Sequence, residues 1–203
     1  CNEIRNKVLQ WCKAHPGHNY LSGMVWNHLG VELVGAGKIH ESCKYFEKAC
    51  HMLDGRIVNQ SLINAYINAA NANLHIGRPV TAVQHYRRAI FLADSLNLDD
   101  IKPAIYCGLG QVYSMLENYP EARSCLNMAE LRIHQQPPME RGFYFMTRGN
   151  CCFFEKKYEQ ALTMFDSAHV CAKATGDEIN MVRSECNMGE TLLCMGRTEQ
   201  ARP

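Results

Sequence analysis

Apolar residues recur along most of this chain at spacings of three and four positions, which is the period of one buried face of an α-helix. One clear stretch contains Trp26, Leu29 and Leu33, followed by Ile39, Cys43, Phe46 and Ala49. Short polar segments separate such stretches. Each segment contains a residue suited to ending a helix in the left-handed conformation, namely Gly37, Gly77, Asn118, Gly196 or, least suited, Lys156 with Lys157. The pattern predicts pairs of helices joined by tight turns.

The predicted helix pairs recur with a regular period. Five small residues are 40, 40, 39 and 40 positions apart, namely Gly30, Ala70, Gly110, Gly149 and Gly189. A second series keeps the same intervals, with Ser42, Ala82, Ala122, Ala161 and Ala201. Small residues let two helices approach closely, while large neighbours fill the space beside them. We therefore expect helical hairpins at about 23–58, 63–98, 103–137, 142–176 and 182–203, the last one truncated, after the end of a preceding helix or repeat at 1–18.

The order of residue types in these copies resembles the tetratricopeptide repeat (TPR). The clearest copies contain Trp26, Leu29, Gly30, Leu33, Gly37, Phe46 and Ala49, and then Leu109, Gly110, Tyr113, Tyr119, Ala122 and Ala129. The resemblance covers roughly residues 23–203, and the copies are longer than the roughly 34 residues of the standard repeat. It implies an all-α fold, a right-handed superhelical solenoid of about five antiparallel helix hairpins. It also implies a concave groove in which a protein or peptide partner binds.

The first helix of each copy would line that groove, and several of its residues outside the packing series carry amide side chains. The candidate partner-binding residues are Asn27, Asn64, Asn68, Asn71, Gln111, Asn150, Arg183 and Asn187. Asparagine forms helices poorly, so its recurrence in mid-helix indicates another role. A carboxamide both donates and accepts hydrogen bonds, and a row of carboxamides can hold the backbone of an extended peptide whatever its sequence. Alternatively, these side chains are solvated or bond neighbouring helices.

Charge narrows the classes of partner. The chain has 203 residues, with 21 basic and 20 acidic side chains and a formal net charge of +1. This balance gives no electrostatic argument for a nucleic acid or an anionic membrane as partner. No stretch approaches the roughly 18 consecutive apolar residues that a membrane span requires. The scarcity of Lys and Arg in the first helices of the first three copies also disfavours a clamp for a chaperone's C-terminal carboxylate.

Eleven cysteines offer the most reactive chemistry in the chain. Because the chain is long enough to bury a core without disulfides, we interpret them as reduced packing residues of a cytoplasmic protein. The spacing of Cys12, His15 and His18 makes this run the main candidate for a metal site, but paired C-x-x-C motifs of the zinc-finger type are missing, so we expect no metal and no cofactor. Without a phosphate-binding loop, a nucleophile elbow or a His-Glu-x-x-His motif, we expect no enzyme activity.

These patterns favour a non-catalytic scaffold that binds a peptide or partner protein in the groove of a TPR array. The alternative is a regulatory, sensor or oligomerisation segment of a larger signalling or transcription-regulating protein, because both ends of the chain fall inside repeats. A third hypothesis is self-association through Leu192, Leu193 and Met195, which a truncated last hairpin would leave uncovered.

Overall fold

The computed structural model describes residues 7, 10–12, 14–15, 18–54 and 59–201. From residue 18 onwards these residues form the helices α1 (Asn19–Gly35), α2 (Ile39–Leu53), α3 (Gln60–His75), α4 (Pro79–Ser95), α5 (Lys102–Met115), α6 (Tyr119–Ile133), α7 (Pro138–Phe154), α8 (Tyr158–Thr175) and α9 (Glu178–Cys194). A short 3₁₀ turn, Asp99–Ile101, precedes α5. No β-strand occurs in the described ranges, and the predicted all-α class is confirmed. Most of the helix end predicted at 1–18 lies outside these ranges, although residues 10–12 and 14 are helical.

The helices form two compact units, which divide the chain between Asp99 and Asp100. In the first unit α1 packs against α2, α3 against α4, and α2 against α3. In the second unit α5 packs against α6, α7 against α8, and α9 against α8, while α7 also contacts α5 and α6. Short connections therefore join helices that pack side by side, as the pairing of apolar stretches predicts.

Glycines bring the two helices of a hairpin into close contact in both units. A Cβ on Gly30 of α1 would lie 2.5 Å from the ring of Phe46 on α2. A Cβ on Gly149 of α7 would lie at the same distance, 2.5 Å, from the ring of Phe165 on α8. Both rings are almost fully buried, at 2% and 1% exposed. The ring occupies the space that a side chain would need, which explains the small residue at this position of the repeat.

The turn inside each hairpin has the same backbone conformation, although the residue that adopts it differs. Positive φ angles of 57° to 76° occur 40, 40, 39 and 40 positions apart, at Gly37, Gly77, Glu117, Lys156 and Gly196. The prediction for Asn118 is wrong by one position, because Asn118 has a φ of −90° and is the residue that caps the start of α6. Glu117 and Lys156 carry a Cβ in this conformation at a cost of roughly 1 kcal/mol relative to glycine.

The cysteines serve mainly as packing residues. Of the ten cysteines that the structure describes, none forms a disulfide, seven are buried, and Cys186 and Cys194 are exposed. Burial raises the pKa of the Cys50 and Cys107 thiols to about 12. Because the thiolate is the reactive form, thiols that remain protonated at neutral pH are poor nucleophiles.

Candidate functional site

A cavity of about 370 Å³ opens among helices of the second unit, and we call it the groove cavity. It is bordered by α7, by the C-terminal part of α8, by the start of α9 and by one residue of α5. Its apolar lining consists of Pro138, Met139, Gly142, Phe143, Met146, Ala168, Cys171 and Ala172. The cavity therefore presents a largely apolar floor between the first helix of one hairpin and the first helix of the next.

Gly142 permits close packing at the floor of the groove cavity. A Cβ at this position would lie 3.2 Å from the Cβ of Cys171 on α8, which is tighter than ordinary contact. Two apolar side chains of α7 remain accessible to solvent at the cavity, Met139 at 65% and Phe143 at 40% exposed. A ligand that covers them gains roughly 25 cal/mol for each Å² of apolar surface removed from water.

Polar residues line the groove cavity from four helices. They are Gln111 of α5, Thr147 and Asn150 of α7, Thr175 of α8, and Asn180 and Arg183 of α9, together with Asp177 before it. Asp177 caps α9, because its Oδ1 accepts a hydrogen bond from the backbone N–H of Asn180 at 3.0 Å and its Oδ2 accepts one from the Asn180 Nδ2 at 2.6 Å. These hydrogen bonds lower the pKa of the Asp177 carboxyl. Its negative charge therefore stabilises the helix start, while Arg183 stays exposed to solvent.

An amide pair connects α7 and α9 next to the groove cavity. Asn187 Nδ2 lies 3.4 Å from the Oδ1 of Asn150, to which it donates, and 3.2 Å from the sulfur of Met146. Asn150 and Met146 both line the cavity, and both asparagines are half-buried. The Asn187 carboxamide on α9 thus contacts α7 and holds Asn150 in place beside the cavity.

A second amide pair connects α1 and α3 in the first unit. Asn68 Nδ2 donates a hydrogen bond to Asn27 Oδ1 at 3.0 Å, and both side chains are half-buried. On the same helix, Asn71 accepts a hydrogen bond from the hydroxyl of Tyr86 on α4, and Asn64 is exposed. The four other predicted asparagines, Asn27, Asn68, Asn150 and Asn187, bond across helices in two pairs.

The structure thus supports the alternative that these amides bond neighbouring helices, and it leaves their contact with a partner as a prediction. Three predicted residues line one cavity, namely Gln111, Asn150 and Arg183. Met139, Phe143 and Asn180 line it as well, although the sequence pattern did not predict them. Met139 and Phe143 are four positions apart and therefore share one face of α7, a spacing that is visible in the sequence. The sequence alone does not show that this face is exposed to solvent.

The described residues contain no group of three His, Cys, Asp or Glu side chains placed to hold a metal ion. The ring of His15 stacks on that of Trp11, with 4.5 Å between centroids, and its Nδ1 lies 2.9 Å from the Trp11 carbonyl oxygen. In this part of the chain, the side chains of Cys12, His15 and His18 therefore do not come together as metal ligands.

The predicted self-association surface is partly open to solvent. Leu193 is 57% exposed, while Leu192 and Met195 are half-buried. Self-association and a regulatory role both stay predictions. None of the helices in the described ranges combines the length and the apolar character needed to cross a membrane.

Comparison with known proteins reveals similarity at the level of structure. No family model and no curated protein matches the chain. Among the solved structures that match is BtubC from P. vanneervenii, with 14% identity over 98% of this chain and 83% of that chain and a TM-score of 0.75. Another is the APC/C hetero-tetramer Cut9–Hcn1, with 19% identity over 97% of this chain and 34% of that chain and a TM-score of 0.73. A third is a kinesin light chain-like protein of Podosopora anserina with nearly identical TPR-like repeats, at 12% identity over 87% of each chain and a TM-score of 0.68.

Proposed function

Because the chain has the fold of TPR-type helical-repeat proteins, we propose that it is a non-catalytic scaffold that binds an extended segment of a partner protein along its first helices. The pairing of amide side chains between successive first helices carries this proposal. The pairs are Asn27 with Asn68 and Asn150 with Asn187. The groove cavity beside the second pair adds a place for a side chain of the bound segment.

The amide pairs suit the backbone of a peptide. A carboxamide carries two N–H donors and a carbonyl acceptor. In the first unit the bond from Asn68 to Asn27 engages one N–H of Asn68 and the carbonyl of Asn27. The NH₂ group of Asn27 and the carbonyl of Asn68 make no hydrogen bond to the described residues, so they remain for a ligand. One donor and one acceptor side by side complement the C=O and N–H groups of an extended peptide.

The groove cavity suits an apolar side chain of the same peptide. Its floor includes Met146, Ala168 and Ala172, and its volume is about 370 Å³. Burying an aliphatic side chain there contributes about 0.8 kcal/mol for each CH₂ group. The amides would then provide affinity that does not depend on sequence, whereas the cavity would select the residue type at one position.

A protein partner is the class that the structural relatives favour. One of them, Cut9, was solved in a hetero-tetramer with a second protein, Hcn1. The surroundings of the cavity are consistent with this class, since amide and apolar side chains recognise peptides without the concentrated positive charge that a nucleic acid requires.

The test uses peptides selected from a random display library on the whole chain. Replacing both Asn150 and Asn187 with alanine is expected to weaken the peptides that bind the second unit by about tenfold or more, because each lost hydrogen bond contributes about 1 kcal/mol. Peptides that bind the first unit should respond in the same way to the Asn27→Ala, Asn68→Ala double variant. Isothermal titration calorimetry gives the dissociation constants.

Asp166→Ala provides the matched control, because Asp166 is exposed on α8 and lies outside the groove cavity. Circular dichroism should show unchanged helicity in all variants, with a loss of about 1 kcal/mol of stability for each broken amide pair. Selected peptides that bind both double variants with the affinity of the original chain would contradict the proposal, and so would a library without binders.

A further inference from the structure

A second cavity, of about 220 Å³, lies in the second unit on α6, α7 and α8, and we call it the α6–α8 cavity. It shares no lining residue with the groove cavity. Its polar lining includes Glu130 of α6, His134 directly after that helix, Tyr144 and Arg148 of α7, and Gln160 of α8. The TPR resemblance and the proposed groove assign no role to this place.

Tyr144 contributes a buried hydroxyl group to the α6–α8 cavity. The residue is 2% exposed, and its hydroxyl makes no hydrogen bond to the described residues. A buried hydroxyl without a partner loses its bonds to water and gains nothing in return. Burial raises the pKa of Tyr144 to about 12, so the group stays a hydrogen-bond donor at neutral pH. The acceptor beside this donor is the Glu130 carboxylate, which raises the pKa of Tyr144 further without forming a close hydrogen bond.

Arg148 contributes a positive charge that no carboxylate of the described residues holds by a close hydrogen bond. Its side chain is 23% exposed, and its Nη1 donates to the Oδ1 of Asn127 at 2.7 Å. The nearest ion-pair partner is Glu130, whose Oε2 lies 3.9 Å from the Arg148 Nη2. This distance exceeds that of a hydrogen bond, and the Glu130 side chain is 52% exposed. The guanidinium group thus retains donors for an anion.

The first unit shows how a carboxylate completes a similar set of groups. Asp54 accepts a hydrogen bond from the Tyr66 hydroxyl at 2.8 Å and one from Arg88 Nη2 at 3.1 Å. Asp54 caps the C-terminus of α2, and two repeat periods later His134 caps that of α6. Tyr144 and Arg148 do not occupy the repeat positions of Tyr66 and Arg88, so the two sets resemble each other in their chemical groups and not in their register.

We propose that the α6–α8 cavity binds a carboxylate group supplied from outside the chain. The carboxylate accepts hydrogen bonds from the Tyr144 hydroxyl and the Arg148 guanidinium, as Asp54 does from Tyr66 and Arg88. A volume of about 220 Å³ accommodates a small dicarboxylic acid or the acidic side chain of a partner protein. Both sources share this chemistry, and the probes below distinguish them.

Glu130 is the internal competitor of the bound carboxylate. It faces Arg148 across 3.9 Å and also acts on Tyr144, whose pKa it raises. An incoming carboxylate must displace it towards solvent. Glu130→Gln removes the competing charge and is expected to tighten carboxylate binding several-fold.

The experiment is an NMR titration of the whole chain at neutral pH with succinate, with the capped peptide acetyl-Gly-Glu-Gly-amide, and with succinamide as the neutral control. Saturable shifts at the backbone amides that surround the cavity and at the Arg148 Nε–H are expected for a carboxylate probe. Tyr144→Phe should weaken this binding by about tenfold. Binding of succinate alone points to a free acid, and tighter binding of the peptide points to a side chain of a partner.

Tyr158→Phe is the matched control, because Tyr158 does not line this cavity. Tyr144→Phe keeps the buried ring, and its melting temperature should equal or exceed that of the original chain. Absence of saturable shifts with both carboxylate probes would overturn the proposal. Equal binding of succinamide, or carboxylate binding that Tyr144→Phe leaves unchanged, would overturn it as well.

Discussion

The two units share a hairpin contact but differ in the surroundings of a buried tyrosine. Gly30 and Gly149 each face a phenylalanine ring at the same distance in their own unit. The hydroxyl of Tyr66 donates to Asp54 at 2.8 Å, whereas that of Tyr144 makes no hydrogen bond to the described residues. Tyr144 lies one position before the repeat equivalent of Tyr66, which is Phe145. The repeat therefore preserves the alternation of small and large residues at the hairpin contact, whereas the position and the partner of the buried tyrosine differ between the units.

The largest expected effect tests whether the hairpin contact is equivalent in the two units. Gly30→Ala and Gly149→Ala should each lower the free energy of unfolding of their unit by about 1–3 kcal/mol, because the new methyl group meets a buried ring that has little room to move. Urea denaturation measures the loss. Gly35→Ala is the control, since nothing lies within 4 Å of a Cβ there, and the higher helix propensity of alanine should stabilise by up to about 1 kcal/mol. Unequal losses for Gly30 and Gly149 would break the equivalence.

The next largest effect is expected when the hydroxyl group of each buried tyrosine is removed. Tyr66→Phe should destabilise the first unit by about 1–2 kcal/mol, because Asp54 loses a hydrogen bond at its charged carboxylate. Tyr144→Phe should leave the second unit unchanged or slightly more stable, since its hydroxyl has no bond to lose. Thermal and urea denaturation measure the loss of stability in each variant. Equal losses for Tyr66→Phe and Tyr144→Phe would contradict the difference between the two tyrosines.

The same tyrosine variants should also change how the stability of the fold depends on pH. Burial raises the pKa of Tyr66 and of Tyr144 to about 12, against about 10 in an unfolded chain. The folded state therefore binds the phenolic protons more tightly, so this contribution to stability is complete below about pH 10 and is lost as the pH rises towards 12. Either Phe variant should lessen the loss of stability over this interval in denaturation series at increasing pH.

The smallest effect concerns the turns. Lys156 adopts in the second unit the left-handed conformation that Gly77 adopts in the first, with φ of 61° and 76°. Lys156→Gly should stabilise by about 1 kcal/mol, and Gly77→Ala should destabilise by a similar amount. Lys157→Gly serves as control, because Lys157 has a φ of −88° and glycine offers no advantage there. Equal stabilisation by Lys156→Gly and Lys157→Gly would contradict the assignment of the left-handed turn residue to position 156.

The hairpins and their contacts were predictable because they depend on residue size at a fixed spacing. The Gly30 series predicts a small residue at the closest approach of the two helices, and the structure identifies the facing residue as Phe46. The turn in the third copy was placed one residue too late, since asparagine is a common left-handed residue and nothing in the sequence shows that Glu117 takes the strained position instead.

The candidate site was predictable only in part. Gln111, Asn150 and Arg183 were expected to face a groove, and all three line the same cavity. The bond between Asn150 and Asn187 was not expected specifically, because a hydrogen bond across 37 positions depends on how two helices are offset. Gly142, which permits close packing against Cys171 at the cavity floor, lies outside the repeat series.

The packing of each helix against its sequence neighbours has a kinetic consequence. In the first unit α2 contacts α1 and α3, and in the second unit α8 contacts α7 and α9. Forming such contacts closes only short loops, and chains dominated by local contacts fold quickly. Stability in such arrays is built up hairpin by hairpin from nearest-neighbour terms. A scaffold of this kind can open one hairpin at a time, so amide hydrogens exchange with solvent in segments rather than all together.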